Sequence, residues 1–119
     1  MPNNKTLGNN GEDLAVNYLT KKGYKILERN KHFSRACEID IIALDKKGVL
    51  VFVEVKTRKT DFCGSPFEAI TKTKYNHIKT GLYTYLNENP QYKKYRIDAI
   101  SIIIKPELKI EHLENIFIN

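Results

Sequence analysis

Residues 38–58, EIDIIALDKKGVLVFVEVKTR, constrain the fold more than any other stretch. Two runs rich in Ile and Val flank the polar segment Asp45–Lys46–Lys47–Gly48. Such a pattern predicts a β-hairpin. Gly48 suits the last position of a three-residue loop, where φ is positive, with Lys46 and Lys47 near right-handed helical angles. That loop sets a register: Asp45 faces Val49, Asp40 faces Glu54, and Glu38 faces Lys56. Facing residues of an antiparallel pair project to the same side. Glu38, Asp40, Glu54 and Lys56 are therefore expected on one face, with Ile42 and Phe52. Ile39, Ile41, Ala43, Val51, Val53 and Val55 are expected on the other. A two-residue loop would turn Asp40 away from Glu54.

The remaining elements follow from periodicity. Leu7, Leu14, Ala15, Tyr18 and Leu19 recur at helical spacing, which predicts a helix over 6–22, stopped by Gly23 and carrying Glu12. A short strand is expected over 24–29. In DFCGSPFEAI, Ser65, Pro66 and Glu68 have the spacing of a helix cap. A second helix is expected over 72–86, with Tyr75, Ile78, Leu82, Tyr83 and Leu86 on its apolar side. Gly81 weakens that helix, so close packing is expected there. YRIDAISIII, 95–104, predicts another strand, and 109–119 fits a strand or a short helix. Strands apolar on both faces need cover on both sides. The expectation is one α/β domain over 1–119, with a mixed β-sheet flanked by helices in the order α-β-β-β-α-β.

With 119 residues and 41% hydrophobic content, the chain can build a real core, and 29% charged content argues against global disorder. The formal charge of +6 is compatible with a polyanionic partner such as DNA, without requiring one. The polar N-terminus and the absence of a long apolar run lead us to expect a cytoplasmic protein with no membrane segment. Cys37 and Cys63 form neither a zinc motif nor a disulfide framework, and are expected as reduced thiols.

Charges inside an apolar hairpin need a reason. A solvated face with a Glu38–Lys56 ion pair is the plain one, contributing under about 1 kcal/mol. Helices on both sides would bury these charges, however, and an unpaired buried charge is costly. Asp40 opposite Glu54 is repulsive in a bare sheet. A divalent cation between them reverses that sign, and hard oxygen ligands suit Mg²⁺ or Mn²⁺. Such an ion would polarise a phosphoryl oxygen and acidify a water. Lys56 would orient the attacking water or offset charge on the phosphate, and Glu12 would complete the ligand set or hold a metal-bound water. Metal-assisted phosphodiester hydrolysis is the matching reaction class.

Asp40 followed by Glu54-Val55-Lys56 resembles the PD-(D/E)xK nuclease superfamily. GNNGEDLAVNYLTKKGYKILERN, EIDIIALD, VFVEVKTR, GSPFEAI, Lys74 and YRIDAISI together resemble the YraN family of small bacterial proteins, predicted endonucleases related to archaeal Holliday junction resolvases. The match spans roughly residues 8–104, with Ile39-Asp40 standing where the superfamily name has Pro-Asp. It implies a restriction-endonuclease-like core and catalytic residues Glu12, Asp40, Glu54 and Lys56. The ligands it implies for Mg²⁺ or Mn²⁺ are Asp40, Glu54 and the Val55 carbonyl, with Glu12 as a further one. Glu38 is expected behind these ligands or paired with Lys56, with a place among the ligands as the alternative. DNA is the implied partner, branched or single-stranded, and a homodimer is plausible by analogy with resolvases.

Arg58, Lys59, Lys72 and Lys74 form a candidate basic rim for phosphates. Arg96 and Asp98 are expected as a structural ion pair. His32, His77 and His112 match no ligand spacing. Tyr24, Phe67, Tyr75, Tyr83 and Tyr85 could stack on bases but fit core positions better. The rival to an enzyme is a non-catalytic nucleic-acid or protein-binding module on a nuclease fold.

Overall fold

The computed structural model describes residues 4–35, 37–60 and 70–117. Its elements are α1 (Asn4–Lys21), β1 (Lys25–Ser34), β2 (Cys37–Leu44), β3 (Leu50–Thr60), α2 (Lys72–Glu88), β4 (Tyr95–Lys105) and β5 (Lys109–Leu113). The five strands form one sheet in the order β1-β2-β3-β4-β5. Only β3 and β4 run parallel, with α2 as their crossover, so the sheet is mixed. This is the α/β core with flanking helices that the sequence implies. Among the described residues, no helix is long and apolar enough to cross a membrane.

The helices cover opposite faces. Ala15 and Leu19 of α1 pack on Ile41, Ala43, Val51, Val53, Ile100 and Ile102. Tyr75, Ile78, Leu82 and Tyr85 of α2 pack on Ile42, Leu50, Phe52, Ile97 and Ala99. Helix α1 ends as its glycine predicts. Gly23 has φ 93, its N–H donates to the Thr20 carbonyl at 3.0 Å, and the Tyr24 N–H donates to the Leu19 carbonyl at 3.0 Å. Gly81 is a point of close approach between α2 and the sheet. A Cβ there would lie 2.9 Å from Cys37 Sγ and 3.0 Å from a Phe33 ring carbon.

The hairpin forms in the predicted register near its turn. Gly48 has φ 82, and Leu44↔Leu50, Ala43↔Val51, Ile42↔Phe52 and Ile41↔Val53 pair. There the β2–β3 ladder stops. Strand β2 goes on pairing with β1 as far as Ser34↔Cys37, while β3 goes on pairing with β4 as far as Thr60↔Lys105. The sheet therefore forks beyond Ile41 and Val53. Asn30 lies between the pairs Arg29↔Ile41 and Lys31↔Ile39, which sets it across from Asp40, and it has φ 51. Asn tolerates this left-handed conformation better than most residues, and the turn it makes breaks strict alternation.

Three expectations are corrected by the fork. Asp40 and Glu54 are not a ladder pair. Ile39 does not share a face with Ile41, because Ile39 packs in the α2 cluster and Ile41 in the α1 cluster. Glu38 does not pair with Lys56; its Oε1 lies 3.7 Å from His32 Nε2 at the surface. Element ends also differ. Strand β1 runs five residues past Arg29 because β2 offers it a partner throughout. The first part of the tail is a strand, β5, paired to β4 through Ile102↔Ile110. Ser65, Pro66, Phe67 and Glu68 lie outside the described residues; α2 is capped by the Thr71 side chain, which accepts from the Lys74 N–H at 3.1 Å.

Candidate metal centre

The fork brings acids together without a ladder. Asp40, the first β2 residue past the last pair, turns its carboxylate toward β3, and Oδ2 accepts a hydrogen bond from the Val55 N–H at 2.8 Å. The side chain thus takes a donor that the lost ladder would otherwise leave open. Glu54, the first β3 residue past the last pair, is 5% exposed. Its face carries Phe52 and looks toward α2. Glu12 comes from α1, half-buried. The helix reaches β3 closely at Gly11, where a Cβ would collide with Thr57 Oγ1.

These groups act on one another through their charges. Burial pushes the Asp40 pKa up to about 7, and the charges of Glu54 and Glu12 push in the same direction against the Val55 hydrogen bond and Lys74. Burial also raises Glu54, assisted by Glu38 and opposed by Lys74 and Lys56. Lys74 Nζ, from the first turn of α2, lies 3.8 Å from Glu54 Oε2. That distance makes an ion pair but is too long for a hydrogen bond. Glu54 Oε2 is buried with no hydrogen-bond partner among the described residues, and so is Ser101 Oγ. Ser101 stands beside Lys56 in the parallel register of β3 and β4. A buried anionic oxygen without a donor is expensive unless something positive reaches it.

The side chains here are of the chemical type that a hard divalent cation takes as ligands. Asp40 and Glu54 supply carboxylate oxygens, Glu12 adds charge, and one buried oxygen still lacks a donor. Lys56 is half-buried on β3 and acts on Glu54 through its charge. Of the expected basic rim, Lys59 and Lys72 are exposed and Arg58 is half-buried, while Lys74 belongs to the carboxylate cluster itself.

A second acidic cluster lies on the opposite face. Asp98 Oδ2 is 2.8 Å from His112 Nε2, and Asp98 Oδ1 accepts from Arg96 Nε and from the Asn115 N–H, each at 2.9 Å. Arg96 also donates to Asp45 and to the Tyr24 hydroxyl, both at 2.7 Å. Tyr18 Oη lies 3.1 Å from His112 Nδ1. Ligand atoms of Asp98, His112 and Glu114 fall within 4.8 Å of one another. Asp98 and His112 are already partnered, however, and a guanidinium stands among them. The Arg96–Asp98 pair is structural, as its sequence spacing suggests. The place of His112 was hidden, since it depends on Ile100↔His112 pairing across β4 and β5.

A family model described as uncharacterised protein family UPF0102 matches residues 11–102. The chain belongs to this family. It is 44% identical to a UPF0102 protein of Syntrophomonas wolfei over 116 residues, covering 96% of this chain and 99% of that protein. It is 46% identical to a UPF0102 protein of Geobacter metallireducens, covering 96% and 93%. The matched UPF0102 region begins at Gly11 and contains Glu12, Asp40, Glu54, Lys56, Lys74 and Asp98.

Proposed function

We propose that this UPF0102 protein is a metal-dependent endonuclease that hydrolyses phosphodiester bonds in DNA, with Mg²⁺ or Mn²⁺ held by Asp40 and Glu54. The observation that carries this reading is the acidic fork, where two mutually repelling carboxylates leave Glu54 Oε2 buried without a donor. A fold gains no stability from that arrangement, so a ligand is its simplest physical cause. When bound, the ion would polarise a phosphoryl oxygen and lower the pKa of a water.

The chain's own residues do the rest. The Val55 N–H holds the Asp40 carboxylate in place and its carbonyl is a further candidate ligand. Glu12 accepts a hydrogen bond from a water in the fork. Lys56 orients the attacking water or offsets charge on the phosphate. Arg58, Lys59 and Lys72 line the approach of the DNA backbone.

Purified protein with Mn²⁺ should nick or cut at least one of linear, single-stranded, flap and four-way-junction DNA, and Lys56→Ala should cut none. If the whole panel binds but stays intact, a non-catalytic DNA-binding module is the better reading.

A further inference from the structure

Lys74 occupies a place that helix physics disfavours. Helix α2 opens with Lys72-Thr73-Lys74 and has no acidic residue in its first turn. The positive end of the helix dipole favours acids there and opposes lysines. Thr71 fixes the backbone of Lys74 through its cap. The helix is held over the fork further along, where Cys37 Sγ donates to the His77 carbonyl at 3.0 Å. The Lys74 ammonium therefore reaches Glu54 from a rigid base. It is the one cation within ion-pair distance of the fork carboxylates among the described residues. Yet the contact is incomplete, since at 3.8 Å Glu54 Oε2 still lacks a hydrogen bond. Lys74 is one-third exposed, so its head has a way out toward solvent.

We propose that Lys74 is the resident counter-ion of the cation-free fork, and that it leaves Glu54 when a divalent cation binds and then contacts a phosphate oxygen of the DNA. This rests on the endonuclease reading above. An ammonium and a divalent ion beside the same carboxylate repel, so occupancy by one weakens the other. Once released, Lys74 stands in the first turn of α2 with Lys72, where the positive end of the helix dipole favours an anion. Cation binding and DNA binding are thereby coupled through one side chain.

The test is calorimetric titration of Mg²⁺ at pH 8.5 into wild type, Lys74→Met and Lys74→Arg. Lys74→Met should bind Mg²⁺ on the order of tenfold more tightly than wild type, because a competing charge is gone. Lys74→Arg should stay close to wild type. A single-stranded oligonucleotide titrated in Ca²⁺ and in EDTA supplies the second readout. Lys74→Met should lose about fivefold or more of the affinity gained in Ca²⁺ and little of the affinity in EDTA. If Lys74→Met does not fold, the wild type still decides. Its Lys74 Cε resonance should shift with the same midpoint as Mg²⁺ uptake, and a resonance that stays fixed overturns the proposal. Mg²⁺ uptake by wild type with equal or weaker uptake by folded Lys74→Met overturns the inference alone. No uptake by wild type or by Lys74→Met overturns the endonuclease reading on which it rests.

Discussion

Glu54 and Asp98 are both buried acids on neighbouring central strands, at 5% and 0% exposure, yet the protein treats them in opposite ways. Asp98 faces α1 and receives Arg96, His112 and the Asn115 N–H. Burial would raise its pKa, but these partners outweigh burial and hold it below the ordinary carboxylate value. Glu54 faces α2, has one ammonium at ion-pair distance, and keeps an oxygen without a donor. Its neighbour Asp40 is driven up to about 7. Equal burial thus gives a stabilising network on one face and a strained one on the other. A buried charge becomes structural when its partners come from the chain. It becomes a candidate site when the chain stops short of supplying them.

The contrast breaks if the two acids respond alike to substitution. Asp98→Ala strips partners from a buried guanidinium and imidazole, and should cost about 3–5 kcal/mol by urea denaturation. Glu54→Gln removes repulsion from the fork and should leave stability unchanged or raise it by about 1 kcal/mol. A large loss in Glu54→Gln would mean that the Lys74 pair is structural after all.

Stability against pH sharpens the same comparison. The depressed Asp98 contributes stability that is present above the unfolded carboxylate value and is lost as pH falls through its lower folded value. Asp40 works in the opposite sense. Between its unfolded value of about 3.9 and its folded value near 7, the native state holds the extra proton, so stability declines as pH rises. Urea midpoints should therefore fall from pH 5 to pH 8, and Asp40→Asn should flatten that slope. Asp98→Asn should instead weaken the protein most at neutral pH and least in acid.

The smallest effect belongs to the surface. Glu38 and His32 are both exposed and 3.7 Å apart, so Glu38→Ala should change stability by less than about 0.5 kcal/mol. A larger loss would place Glu38 in the fork's structure.

Most of the fold was legible in the sequence because local signals agreed with it. Gly23 and Gly48 sit at positive φ where turn chemistry calls for them, and Gly81 marks a close contact between α2 and the sheet. The fork was not legible. Alternation in β2 and β3 predicts an unbroken ladder, and nothing in those two segments marks its end; the left-handed Asn30 stands across from Asp40 on a third strand. Asp40 and Glu54 do influence each other's charge, but not through the register that the turn predicts. Asp40 approaches β3 through the Val55 N–H rather than as a partner of Glu54. The sequence reading places Lys74 in a basic rim, and the absence of any acid at the start of α2 could have pointed to its part in the carboxylate cluster. His112 could not, because its position depends on a pairing between β4 and a tail strand with weak alternation.

The central claim is that the fork holds a divalent cation and the Asp98 cluster does not. Mn²⁺ titration by calorimetry, run on wild type, Asp40→Asn, Glu54→Gln and His112→Ala, tests it most directly. The account predicts a single site in wild type that each fork substitution abolishes and His112→Ala retains. Mn²⁺ binding that survives both fork substitutions and is lost in folded His112→Ala would contradict it.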